Sequence, residues 1–296
     1  MKDLSICIVT LDSKDIVLAC LDSLLKEKVP EAGITLVDNH SSDGTLEAVR
    51  TRLPAVNLIA NPGNLGYSYA VNRAIQHRKA RYYMLLNPDA LVFENAVSRL
   101  VEFMDANPQA GICTPRVLNR DGTLQYQCRR GEGRPWEAFC YFTGLARLFP
   151  KDPRFAGYLM TYLDDEHVNE VKAVSGSCML IRAEVVEQIG FLDERFFAYQ
   201  EDADYCFQAR KAGWKIYYVP DARVTHYGGL GGSRKRPYFG IYQWHRSYYL
   251  YYRKNLARDY PFWFHPLYYF VMTAKLILSL VMAFFSTEKI VGTKKP

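Results

Sequence analysis

The chain lacks several features that would settle its class at a glance. None of its seven cysteines forms a CxxC pair, and their number is odd. A disulfide framework or a cysteine-held metal cluster is therefore disfavoured. Cys7, Cys113 and Cys178 lie in apolar, strand-like runs, where cysteine behaves as a small hydrophobe. There is no Walker pattern and no GxGxxG, so neither ATP hydrolysis nor NAD binding is supported. Zinc-finger spacing, an RRM signature and a basic helix with heptads are all missing, which argues against nucleic acid as a partner. Internal repeats and low-complexity tracts are absent too. The run Leu4-Ser5-Ile6-Cys7-Ile8-Val9 starts almost at once with no signal peptide before it, so a cytosolic setting with reduced core thiols is expected. Acidic residues are scarce in one stretch. Between Tyr205 and Tyr260 eleven Lys/Arg face two Asp/Glu, a local +9 in a chain of net charge +6. Such a segment favours an anionic partner, a diphosphate or an anionic membrane surface before nucleic acid.

The 296 residues are 49% hydrophobic and 23% charged, enough for one large domain or two small ones. Over the first 117 residues short apolar runs alternate with segments of helical period. Strands are expected at 5–10, 34–37, 57–60, 82–86 and 111–115. Helices are expected at 13–26, 45–52, 68–76 and 95–107. This alternation implies an α/β fold with a mostly parallel central sheet flanked by helices. Residues 118–172 lose the pattern and read as a loop-rich insertion over the sheet's ligand edge. Order returns at 173–182, with helices at 183–189 and 203–212 and a strand at 215–219.

Ligands of open α/β sheets bind beyond the carboxyl ends of the strands. Asn87-Pro88-Asp89 follows the run 82–86 directly, and His226 follows Val224-Thr225. A carboxylate and an imidazole there can share a divalent cation whose other positions go to water and phosphate oxygens. Glu201 and Asp202 precede a helix, where acids also suit the helix dipole. One of them can serve as a general base, whereas Asp204 reads as a capping acid only. Asp38 ends an apolar strand and can accept hydrogen bonds from a nucleobase or ribose; Ser42, Asp43 and Gly44 beside it read as turn and cap. Asn64-Leu65-Gly66 is a glycine loop opening a helix, a weak phosphate-site signal alone. Together these residues suggest metal-assisted transfer from a diphosphate donor.

In combination the motifs resemble the family 2 glycosyltransferases, inverting sugar-nucleotide enzymes of the GT-A fold. The resemblance covers roughly residues 4–235. It is carried by Ile8-Val9-Thr10, Val37-Asp38-Asn39-x-Ser41-x-Asp43-Gly44-Thr45, Asn64-Leu65-Gly66 with Asn72, and Leu86-Asn87-Pro88-Asp89. Ser175-Gly176-Ser177 with Leu180-Ile181-Arg182, Glu201-Asp202-x-Asp204, Gly213-Trp214 and His226 complete it. It implies Asp89 on a Mg²⁺ or Mn²⁺ ion, completed by His226, and Asp202 as catalytic base. Donor contacts are expected from Thr10, Leu11, Asp38, Asn64, Leu65, Gly66, Asn87, Asp89 and Arg234. Acceptor contacts are expected from Trp136, Tyr199 and Glu201. The sequence departs from the family at Thr10-Leu11-Asp12, where Thr-Tyr-Asn is frequent, and at Asn87, where a fuller motif has a second Asp.

The resemblance implies a catalytic domain at 1–235, with a nucleotide-binding half at 1–117 and an acceptor-side half at 118–235, and an extension at 236–296. The segment Arg246–Asn255 looks like bacterial rhamnosyltransferases of cell-surface polysaccharide assembly. A dTDP-rhamnose donor is therefore expected before a UDP-sugar. The acceptor would be a glycan or a polyprenyl-diphosphate-linked sugar. A nucleotidyltransferase would need a glycine-rich, arginine-containing loop after the first strand, which Leu11-Asp12-Ser13-Lys14-Asp15 does not offer. A non-catalytic glycan-binding protein is the remaining alternative. Residues 267–285 would span about 28 Å as a helix. Their ten Leu/Ile/Val/Phe favour insertion by roughly 3 to 6 kcal/mol, against about 2.5 to 3.5 for Lys275. Lys275, Ser279, Met282 and Ser286 share one stripe, followed by three lysines. A helix lying on the inner face of the membrane is therefore expected, with a core or homodimer helix as the alternative.

Overall fold

The computed structural model describes residues 3–229 and 236–285. Its elements in chain order begin β1 (Leu4–Thr10), α1 (Lys14–Lys26), β2 (Ile34–Asp38), α2 (Thr45–Arg52), β3 (Asn57–Ala60), α3 (Tyr67–His77) and β4 (Tyr82–Leu86). After a tight turn come β5 (Ala90–Phe93), α4 (Ala96–Ala106) and β6 (Ala110–Leu118). The loop-rich part holds β7 (Arg129–Arg130), α5 (Pro135–Thr143), α6 (Leu145–Leu148), α7 (Pro153–Ala156), β8 (Asn169–Glu170) and β9 (Ala173–Val174). Then follow β10 (Cys178–Arg182), α8 (Ala183–Ile189), α9 (Glu201–Lys211), β11 (Lys215–His226), α10 (Pro237–Tyr251) and α11 (Phe264–Phe285).

The main sheet runs β3-β2-β1-β4-β10-β6-β11-β5, with β8 also on β11. Strands β1, β2, β3, β4, β6 and β11 point one way. β10, β5 and β8 oppose them. The α/β class and the mostly parallel sheet are as the sequence implies. Every residue of β1, β2 and β4 is buried, because helices cover both faces. Alternate residues feed two cores, Ile6 and Ile8 on one side of the sheet, Cys7 and Val9 on the other. All seven cysteines are buried free thiols.

Two of the strands that differ from the sequence expectation, β5 and β11, shape the ligand edge. β5 is only four residues long and follows the Asn87–Asp89 turn at once, too short to show alternation. β11 continues past Pro220 to His226, through a register shift between Val219 and Arg223. A proline inside a strand is tolerated at such an irregularity, which is why the strand outlasts the expected 215–219. β11 then pairs antiparallel with β5, His226 opposite Ala90. That register carries His226 across to Asp89. β10 does the same for the other side: it opposes β4, with Cys178 across from Leu86. The Ser175–Ser177 segment before β10 is thereby placed at the edge where β4 ends.

The C-terminal helices close against this body. Ser247 Oγ donates to the Ala198 carbonyl and Arg246 to the Arg195 carbonyl. Lys254 pairs with Asp193 and Asp204. α11 returns along α10, with Tyr268 stacked on Tyr252 at 3.8 Å between centroids. It is long and apolar enough to cross a membrane, and none of its residues is buried. Lys275 does not belong to an outward stripe. It turns onto α10 and α5, 3.9 Å above the Trp244 ring and 4.8 Å from the Phe142 ring. The outward positions are Leu267, Phe270, Ile277, Val281 and Phe284, all exposed.

Candidate active site

At the carboxyl end of β4 the chain turns through Asn87, Pro88 and Asp89, closed by the Ala90 N–H on the Asn87 carbonyl. Asp89 is buried, and the Tyr227 N–H donates to its carbonyl. His226 Nε2 stands 3.1 Å from Asp89 Oδ1 and 3.1 Å from Asn87 Nδ2. Its Nδ1 lies 2.8 Å from Gln125 Oε1. An amide oxygen accepts only, so Nδ1 carries a proton. Asn87 can then donate to the Nε2 lone pair, but that lone pair also faces the Asp89 oxygen. A cation shared between the nitrogen and the carboxylate oxygen would suit both. A carboxylate oxygen and an imidazole nitrogen 3.1 Å apart could together hold a divalent cation of the Mn²⁺ kind. Among the described residues no cluster of three or more His, Cys, Asp or Glu could hold one by itself. Water or a ligand's oxygens must supply the rest.

The second group gathers at the start of α9. Tyr199 and Gln200 both take positive φ, 68° and 63°, which turns the chain sharply into the helix. Glu201 is its first residue, so the acids lie inside the first turn and not before it. Asp202 Oδ2 is 2.7 Å from Arg130 and accepts the Gly176 N–H at 3.0 Å. Asp202 Oδ1 accepts the Ala203 N–H at 2.7 Å. Glu201 is buried, and its Oε2 has no hydrogen-bond partner among the described residues. Burial, reinforced by the Asp202 charge, pushes its carboxyl up to about 8. Burial, and then the Glu201 charge, also raises the Tyr199 phenol. Asp204 is not merely a cap, as its sequence position suggested. It is buried and holds Lys254 at 2.7 Å and Asn255 at 2.8 Å.

The remaining expected contact residues divide. Asp38 is buried and receives the Ser41 N–H at 2.8 Å and the Ser41 hydroxyl, a local turn at the end of β2. Thr10 ends β1 and bonds Ser13 at 2.5 Å, next to half-buried Leu11. Asn64 Oδ1 accepts the Gly66 N–H at 3.1 Å, with Leu65 exposed between them. Gly66 has φ +96°, and a Cβ there would meet the Phe197 carbonyl oxygen at 2.8 Å. Only glycine allows that approach, which ties the loop to the segment leading into α9. Trp136 belongs to another neighbourhood: its indole donates to the Arg154 carbonyl and its ring stacks on Phe139. Arg234 lies outside the described residues. Sequence reasoning missed Gln125 and Arg130, and it had Gly176 as a motif residue without its bond to Asp202. Each is brought in by pairing across tens of residues, and none stands in a motif with its partner.

The profile of the family described as Glycosyl transferase family 2 matches residues 5–190. The N-acetylglucosaminyl-diphospho-decaprenol L-rhamnosyltransferase of Mycobacterium tuberculosis is 30% identical over 229 residues, which cover 74% of this chain and 73% of that one. Rhamnosyltransferase WbbL of Escherichia coli is 25% identical over 194 residues, covering 62% and 68%. Among solved structures, the mannosyltransferase PcManGT of Pyrobaculum calidifontis, in complex with GDP-Man and Mn²⁺, superposes with a TM-score of 0.58. It shares 15% identity over 97% of this chain and 76% of that one, a likeness of fold alone.

Proposed function

The chain belongs to glycosyl transferase family 2 and is a glycosyltransferase, and from that premise we propose that it moves a sugar from a nucleotide-diphosphate donor to a hydroxyl of a lipid-linked glycan, with inversion. The observation that carries this reading is that the Asn87 N–H donates to the Ser177 carbonyl while the neighbouring Gly176 N–H donates to Asp202, which sets the Asn87–Asp89–His226 cluster and the Glu201–Asp202 pair at one sheet edge. The first can hold a diphosphate's metal, and the second a base.

In this reading Thr10, Leu11 and Asp38 border the nucleoside, and the Asn64–Gly66 loop lies under the phosphates. Asp89 and His226 would hold Mg²⁺ or Mn²⁺, which would supply positive charge to offset that on a diphosphate leaving group. Asn87 and Gln125 orient the imidazole. Tyr199 and Glu201 meet the acceptor sugar. Asp202 takes the acceptor hydroxyl's proton as that oxygen bonds the anomeric carbon from the face opposite the leaving group. A single displacement of this kind inverts the centre. Rhamnose is the first donor, by analogy with the two rhamnosyltransferase relatives; a UDP-sugar is the alternative. Thermal-shift and transfer assays over nucleotide sugars with Mn²⁺ or Mg²⁺ test this. Stabilisation and transfer with dTDP-rhamnose are expected. A response only to a UDP-sugar replaces the donor, and no transfer from any donor rejects the reading.

Residues 1–235 form the catalytic domain in this proposal and 236–296 its membrane-facing extension, on the inner face of the cell membrane. Support comes from the outward apolar face of α11 and from Phe139, Leu148 and Phe149 of the α5–α6 region, all exposed. Lys275 packs inward and does not interrupt that face. Each large side chain taken into lipid contributes about 1.5–3 kcal/mol. Replacing Phe270, Ile277 and Phe284 by glutamate should therefore weaken binding to anionic liposomes by about 10²-fold or more. Transfer to lipid-linked acceptor should slow, while donor-induced thermal stabilisation stays the same. Unchanged liposome binding would remove α11 from this role and leave it as a dimer element.

A further inference from the structure

Asp202 and Glu201 are adjacent, enclosed carboxyls with very different surroundings. Arg130 ends β7, which pairs antiparallel with β9, Arg130 opposite Ala173. That pairing points the guanidinium at the first turn of α9. It reaches Asp202 Oδ2 at 2.7 Å, and the two side chains are only 14% and 12% exposed. With the Gly176 and Ala203 N–H groups, three donors converge on one carboxylate. None of the described residues donates to Glu201 Oε2. Two close carboxyls in a poorly solvated site cannot both ionise without a large cost.

Resting on the reading of Asp202 as base, we infer that Arg130 is a positioning residue that assigns the single negative charge of the Glu201–Asp202 pair to Asp202 and leaves the proton on Glu201. The other groups around the pair do not compete for this role. Tyr67 from α3 and Tyr248 from α10 are phenols that burial keeps neutral, as is the Tyr158 hydroxyl bonded to Tyr248. The Cys206 thiol is pushed up to about 12 by burial. Asp204 is neutralised by Lys254. Environments that drive two carboxyls apart define an acid and a base. Asp202 is thus ready to accept the acceptor's proton. As the new C–O bond forms, the bond to the diphosphate breaks and its electron pair leaves with the nucleotide.

The test is the pH profile of kcat. Without the guanidinium Asp202 holds its proton to higher pH, and only its ionised form acts. Arg130→Gln should move the acid limb upward by about 1–3 pH units, the usual effect of an adjacent opposite charge. Donor KM should stay the same. Arg130→Lys should give a smaller upward shift, since an ammonium keeps the charge but not the planar fork. Adding Glu201→Gln to Arg130→Gln should bring the limb back down, because the competing carboxyl is gone. Should Arg130→Gln fail to fold, Arg130→Lys alone decides, and its limb must still rise. A uniform fall of kcat with an unmoved limb overturns the inference while leaving Asp202 as base. Retained activity in Asp202→Asn overturns both.

Discussion

Asp202→Asn is expected to lower kcat by about 10²–10⁴, the usual worth of a general base, with donor affinity nearly intact. The amide keeps the shape but has no lone pair basic enough to take a hydroxyl proton. The surroundings sharpen the expectation. Arg130 and Gly176 both donate to Oδ2, and the Ala203 N–H donates to Oδ1. An amide can turn its oxygen to only one of these sides, so its NH₂ must meet a donor on the other. An unsatisfied buried donor costs about 1–3 kcal/mol, so a small drop in Tm should accompany the kinetic loss. Single-turnover transfer at saturating donor, with donor binding measured separately, checks it. If activity survives, Glu201 becomes the base. Asp204 is no alternative, because Lys254 and Asn255 already occupy both its oxygens.

Asp89→Ala should behave differently, with donor binding and turnover falling together. The outer hydrogen-bond partners of a bound metal are commonly worth 10–100-fold, so losing a ligand should exceed about 10²-fold in kcat/KM. The turn itself should persist, since the Ala90 N–H on the Asn87 carbonyl and the Tyr227 N–H on the Asp89 carbonyl remain. His226→Ala should follow the same pattern more weakly. Calorimetric titration of donor with and without Mn²⁺ is the measurement. Metal-dependent donor binding that survives Asp89→Ala removes the cation from this cluster.

How much of this was legible depends on how far apart in sequence the cooperating residues lie. The α/β alternation, the helix at Thr45–Arg52 and the strand at Tyr82–Leu86 are local patterns, and they stand where the periodicity implies. Asp89 and Asp202 announce themselves by following an apolar run or opening a helix. His226 announces itself in the same way, after Val224-Thr225, but the strand path that brings it to Asp89 does not, and Arg130 does not at all. His226 meets Asp89 only because β11 survives Pro220 and crosses to β5. Arg130 meets Asp202 through the two-residue strands β7 and β9, too short for any period. Lys275 was legible as a charge in an apolar helix but not as a charge turned inward. Its direction is set by rings on α10 and α5 that no helical wheel of α11 contains.

That inward lysine has a consequence for how the protein would hold to a membrane. Its ammonium lies over Trp244 and Phe142 and beside His245, and burial draws it down to about 8. A charge so enclosed adds little attraction to headgroups, and the outward side of α11 carries none. The proposed attachment then has two separable parts. Within the stretch between Tyr205 and Tyr260, Arg210, Lys215, Arg223 and Lys254 are paired with acids outside it; the other cations act through space, and their pull fades with ionic strength, since 1 M salt shortens the screening length to about 3 Å. The apolar face of α11 acts by contact and is indifferent to salt. A brine wash would loosen the protein's approach to the bilayer without stripping what has already settled there, whereas detergent would release both.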